Sequence, residues 1–110
     1  MKHPHSKKSY KKRGDYRHVR EELKKKTPIV IRFYKASCPA CQMSEPAWNE
    51  FCEKAPPQYR IVEVEEEAIP PEVLANISAF PTYAKLDANG PTHTVGAITE
   101  PEMIVQKLRI

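Results

Sequence analysis

A junction near the middle of this chain constrains it most. Three consecutive aliphatic residues, Ile29-Val30-Ile31, lead through Lys35-Ala36-Ser37 into Cys38-Pro39-Ala40-Cys41. From Pro39 to about Lys54 the apolar residues recur at helical spacing. A consecutive aliphatic run suits a central strand covered on both faces. Met43, Ala47, Trp48, Phe51 and Cys52 share one stripe of the helix that follows, and Pro46 inside it is an expected kink. The C-x-x-C pair therefore sits where a strand-loop meets a helix N-terminus. Unpaired N–H groups and the helix dipole favour a thiolate there. A free Cys titrates near ~8.5, and C-x-x-C thiols in such places range down to ~3.5–7. Cys38 is thus the candidate nucleophile. Cys41, one turn in, is more shielded and can resolve a mixed disulfide by attacking the sulfur of Cys38.

The same spacing is also half of a zinc site, and a structural site needs four ligands. Cys52 and His93 exist, though not at a typical second-pair spacing, and His3 and His5 read as incidental. No metal is expected. Cys52 falls on the apolar face of its helix and reads as a buried, inert thiol. Three cysteines are too few for a disulfide-stapled scaffold.

A chain of 110 residues, 40% hydrophobic and 29% charged, fits one domain. No apolar run approaches the ~18 residues that span a bilayer, so no membrane span is expected. The basic N-terminus has no apolar run behind it and does not read as a secretory signal. A cytoplasmic location is expected, with nuclear or particle-associated placement left open. Residues 1–26 carry a net charge of +8 and the remainder −4. Residues 1–14 are too poor in aliphatic side chains to offset their ordering entropy, so they are expected as a disordered tail before a domain at 15–110. Lys7, Lys8, Lys11, Lys12 and Arg13 form a basic cluster that suits an anionic partner or nucleic acid, or simply a solubilising tail.

Asp15 is placed to cap a helix running to about Lys26, with Val19 and Leu23 on one face, and Thr27-Pro28 ends it. Arg60–Glu65 reads as a strand, with Ile61 facing one way and Val62 and Val64 the other. Pro70-Pro71 opens a short helix to about Asn76. Thr82–Leu86 and Thr92–Val95 flank Asp87-Ala88-Asn89-Gly90, a hairpin signal. Thr99 and Glu102 form a capping box for a last helix to Leu108. The order α-β-α-β-α-β-β-α predicts an α/β sheet with parallel strands and an antiparallel edge. Ser9-Tyr10 is the sole candidate for a further first strand, which leaves four or five strands.

From Ile29 to Leu108 the landmarks fall in a familiar order. They are an apolar strand before C-x-x-C, Cys41-Gln42-Met43-Ser44-Glu45-Pro46 after it, then Ala79-Phe80-Pro81-Thr82, Asn89-Gly90 and Val95-Gly96-Ala97-Ile98. In this the chain resembles thioredoxin. The resemblance implies a thioredoxin fold, a mixed four- to five-stranded sheet flanked by helices. It implies Cys38 as attacking thiol, Cys41 as resolving thiol, and Pro81 as a cis-proline facing the Cys38–Cys41 redox pair. Phe80 would offer backbone hydrogen bonds to an extended substrate. The implied activity is protein thiol–disulfide exchange, supplied by a separate upstream reductase or thiol oxidase.

Two departures stand out. Thioredoxins usually carry Trp before the first cysteine and Gly-Pro between the two, where this chain has Ser37 and Pro39-Ala40. Proline straight after the nucleophile resembles glutaredoxins and some disulfide oxidases, and the potentials of these families span about −270 to −120 mV. Thioredoxins also bury an acid six residues before the first cysteine, and here that residue is Arg32. Glu63 aligns with the family's facing lysine. A charge-swapped Arg32–Glu63 pair beneath the site is expected, with Glu63 as proton acceptor for Cys41; the alternative is that both are solvated. No G-x-G-x-x-G is present, and no cofactor is expected. Besides the oxidoreductase, two functions stay open. One is a non-catalytic module gripping a segment at the Pro81 loop. The other is a glutathione-linked, glutaredoxin-like enzyme.

Overall fold

The computed structural model describes residues 7–110. Among these residues five strands and four α-helices follow one another as β1 (Lys8–Tyr10), α1 (Tyr16–Lys24), β2 (Ile29–Tyr34), α2 (Pro39–Lys54), β3 (Arg60–Glu65), α3 (Pro71–Leu74), β4 (Thr82–Asp87), β5 (Gly90–Val95) and α4 (Pro101–Leu108). The strands form one sheet in the order β1-β3-β2-β4-β5. β1, β3 and β2 run parallel, while β4 is antiparallel to β2 and β5 to β4. Among the described residues no helix is long and apolar enough to cross a membrane.

Strand alternation splits the core in two. Val30, Ile61 and Tyr83 face Trp48, Phe51, Ile104 and Leu108, on the side covered by α2 and α4. Ile29, Ile31, Phe33, Val62 and Val64 face Val19 and Ile69 on the other. The opposite headings expected of Ile61 and of Val62 and Val64 are observed. The same alternation decides the site. Arg32 shares the Val30 face, so β2 drives a guanidinium into the apolar layer under α2, where it is only 2% exposed.

Some expectations need correction. Lys8–Tyr10 lie within the stretch expected to be disordered, yet they pair in parallel with Val62–Val64. Acidic residues of the body hold them: Ser9 Oγ donates to Glu63 (2.7 Å), and Tyr10 donates to Glu22 (2.9 Å). The charge asymmetry is thus partly spent inside the fold, with Lys7 beside Glu63 (3.2 Å) and Lys8 beside Glu22 (3.5 Å). His3 and His5 lie outside the described residues. Met43 is 63% exposed, because it sits about 120° around α2 from the middle of the buried stripe. Cys41 and Ser44 complete that stripe instead. The Thr99–Glu102 box does not form. Glu100 is the N-cap of α4 and Pro101 its first residue, which suits proline's missing N–H.

Candidate active site

Cys38 is the N-cap of α2, and its sulfur takes the place of a capping oxygen, accepting the Cys41 N–H at 3.2 Å. The sulfur lies 3.8 Å from the carbonyl oxygen of Phe80. The Phe80–Pro81 peptide is cis. Cys38 opens onto a groove of about 530 Å³ lined by Lys35, Ser37, Pro39, Ser78, Ala79 and Phe80. Pro81 is buried, so Phe80 presents the loop to the groove.

The two thiols differ in environment. Desolvation pushes Cys38 up, but the contact with Cys41, N–H donors from Cys41 and Ala40, and the Lys35 charge together hold it below its ordinary value. Cys41 is 3% exposed. Burial and the neighbouring Cys38 push it up to about 11, against the Lys35 N–H and the Arg32 charge. That Lys35 N–H reaches the Cys41 sulfur at 3.5 Å. Cys52 lies apart on the same helix, and burial drives its thiol up to about 12.

Arg32 and Glu63 stand side by side on β2 and β3, in a row that continues to Ser9 on β1 and Tyr83 on β4. The expected direct ion pair does not form. The Arg32 Nη2 donates to the Cys41 carbonyl (2.8 Å) and to Ser44 Oγ (3.0 Å). The guanidinium also lies against the rings of Tyr34, Trp48 and Tyr83, 5.3, 6.0 and 5.8 Å from their centres. Glu63 accepts instead from Ser9 and from Trp48 Nε1 (2.8 Å). Burial pushes Glu63 up, but those hydrogen bonds and Lys7 hold it below the usual carboxylate range. The physical reason is competition. β1 and Trp48 offer Glu63 fixed donors, and helix α2 offers Arg32 a carbonyl and a hydroxyl.

Ser44 carries no signal of its own in the sequence, although it lies three residues past Cys41 on the same helix face. Behind Cys41 lies a second cavity of about 230 Å³, whose lining includes Arg32, Tyr34, Lys35, Glu45 and Glu65. Glu63 does not line it. Among the described residues no group of three or more His, Cys, Asp or Glu side chains is placed to hold a metal ion.

The thioredoxin family model matches residues 12–109. No curated protein matches the sequence significantly. Solved structures share the fold at low identity. The thioredoxin of Trypanosoma brucei brucei is 19% identical over 99% of this chain and 92% of that one, with a TM-score of 0.73. The reduced Schistosoma mansoni thioredoxin pre-protein is 24% identical over 94% and 99%, with a TM-score of 0.68. The oxidised mitochondrial thioredoxin 3 of Saccharomyces cerevisiae is 19% identical over 96% and 93%, with a TM-score of 0.67. With the model spanning nearly the whole chain and a C-x-x-C pair capping α2 beside a cis-proline, this chain belongs to the thioredoxin family.

Proposed function

We propose that this chain is a thiol–disulfide oxidoreductase acting on protein disulfides through Cys38 and Cys41. The observation that carries this is the division between the two sulfurs. One is open to a groove and held toward its thiolate; the other is buried directly behind it and held as a thiol. In the reducing direction the Cys38 thiolate attacks a substrate disulfide. One substrate sulfur leaves as a thiolate, and Cys38 joins the other in a mixed disulfide. Cys41 then loses its proton and attacks the Cys38 sulfur. The Cys38–Cys41 disulfide forms, the second substrate thiolate departs, and two electrons have passed to the substrate. The Phe80 backbone flanks the extended segment, with Pro81 behind it. A separate reductase restores the dithiol, or a thiol oxidase drives the cycle backwards. Lys11, Lys12 and Arg13 are exposed and offer a contact for an anionic partner. A reducing compartment such as the cytoplasm suits the dithiol form.

Two variants test this. Cys41→Ser should accumulate a mixed disulfide between Cys38 and a model protein substrate, visible as a reducible mass shift. Cys38→Ser should lower disulfide reduction to the uncatalysed background. Wild-type turnover by either variant sinks the roles given to Cys38 and Cys41, and background turnover by the unaltered protein leaves a binding module in its place.

A further inference from the structure

We infer that Arg32 is a positioning residue for the resolving step: a buried, fixed cation under the first turn of α2 that stabilises the Cys41 thiolate where, among the described residues, no side chain is placed to take its proton. The inference rests on the resolving role proposed for Cys41. Its ground is the unusual company Arg32 keeps. Both of its hydrogen-bond acceptors are neutral, and one is the carbonyl of Cys41 itself. Its Nε has no hydrogen-bond partner. Among the described residues no carboxylate pairs with it, so no fixed anion cancels its charge. A nearby cation favours the ionised form of a thiol. Ser44 Oγ, 3.1 Å from the same carbonyl, braces the guanidinium against the helix.

Among the described residues, the charged and titratable groups around Cys41 leave this role to Arg32. Cys38 on α2 disfavours a Cys41 thiolate in the free dithiol, and once joined to the substrate it carries no charge. Glu63 on β3 is committed to Ser9, Trp48 and Lys7. Glu65 lines the rear cavity, but its two oxygens accept the N–H groups of Ala36 (3.2 Å) and Glu67 (2.8 Å). Glu45 is exposed at the rim, Lys11 and Lys35 add positive charge, and Tyr34 is pushed up to about 12, largely by burial. On β4, Tyr83 faces Arg32. A cavity of about 230 Å³ has room for several waters, at ~30 Å³ each. The Cys41 proton passes to that water as the thiolate forms, and the thiolate attacks the Cys38 sulfur. The bond from Cys38 to the substrate breaks, and the departing thiolate takes a proton from solvent.

The experiment follows both steps by stopped-flow and quench, with a disulfide-bonded peptide as substrate. Formation of the mixed disulfide is read separately from its resolution. Between pH 4 and 7 the wild-type resolution rate should rise about tenfold for each step of one in pH, with no inflection, as for a thiol titrating higher up. Arg32→Met should slow resolution by about tenfold at pH 7, the fall in thiolate population when Cys41 titrates about one pH unit higher, while leaving the Cys38 attack within about threefold. Arg32→Lys should recover most of the loss. Equal rates for Met and Lys variants overturn the inference, as charge then plays no part. So does an inflection in the wild-type profile between pH 4 and 7, which marks a titrating carboxylate as proton acceptor; that arm stands even if Arg32→Met fails to fold. Failure to form the mixed disulfide at all strikes instead at the oxidoreductase function.

Discussion

Two buried charges of opposite sign flank the sheet, and they are treated in opposite ways. Glu22 on α1 is 3% exposed and Arg32 on β2 is 2% exposed. Glu22 meets Arg60, Lys8, Lys25 and the Tyr10 hydroxyl. Arg32 meets a carbonyl, a hydroxyl and three aromatic rings, without a carboxylate. Desolvating an ion costs several kcal/mol, and only close counter-charges and hydrogen bonds recover it. Glu22 recovers it and in doing so ties α1 to β1 and β3. Arg32 recovers less, and it lies beneath the reactive thiols. A structural charge is neutralised where it is buried. A charge left uncompensated keeps its field for a neighbour, here Cys41.

The largest effect should come from breaking the satisfied charge. Glu22→Gln leaves Arg60 facing a neutral amide and should cost about 3 kcal/mol at pH 7, read by urea denaturation. The sign with pH follows from the direction in which the carboxyl is held. Burial raises the Glu22 carboxyl, but Tyr10, Lys25, Lys8 and Arg60 together hold it below its usual value. Its stabilisation is therefore present above the unfolded value of ~4.3 and is lost as pH falls through the folded one. The gap between wild type and variant should begin to narrow as pH falls below the unfolded value of ~4.3. A gap that stays constant down to pH 3 means that Glu22 acts through packing and not through charge.

An intermediate effect is expected where the two systems come nearest. Trp48→Phe removes the indole donor to Glu63 and some buried ring area, and should cost about 2 kcal/mol. Because Glu63 is held below its usual value, its stabilisation too is present at neutral pH and lost on acidification. The variant should bring the Glu63 titration, followed by carboxyl NMR, closer to ~4.3. Were the Arg32 guanidinium able to turn to Glu63, it would replace the lost donor and the cost would fall below about 0.5 kcal/mol. That outcome would restore the direct pair expected from the sequence.

That expectation shows where sequence reasoning stops. The register was legible: Arg32 and Glu63 are neighbours across β2 and β3. What each side chain does with its neighbour was not, because the donors that capture Glu63 come from Ser9, 54 residues away, and from Trp48 on a helix. The central strands and the Cys38–Cys41 placement were legible because aliphatic runs and a helix N-terminus leave local signatures. β1 was legible only as an open candidate at Ser9-Tyr10, since a three-residue edge strand of Lys8-Ser9-Tyr10 buries almost nothing and is fixed by distant carboxylates. Its traces in the sequence are the candidate pair Ser9-Tyr10 and the excess of positive charge facing an acidic body.

The smallest effect on stability should come from Arg32 itself, and it bears hardest on the comparison. Arg32→Met exchanges an ion without a counter-charge for an apolar side chain of similar length. The fold loses two hydrogen bonds to neutral acceptors and the ring contacts, the latter worth about 0.5–1 kcal/mol each or somewhat more when desolvated. It is relieved of the desolvation of the guanidinium, a term of similar or larger size. The Cys41 carbonyl still has the Ser44 hydroxyl within 3.1 Å. The net change should stay within about 1 kcal/mol of wild type in either direction, against about 3 kcal/mol for Glu22→Gln in the same denaturant series. A loss as large as that of Glu22→Gln would make Arg32 a second structural anchor, and the two buried charges would then differ in their partners but not in their purpose.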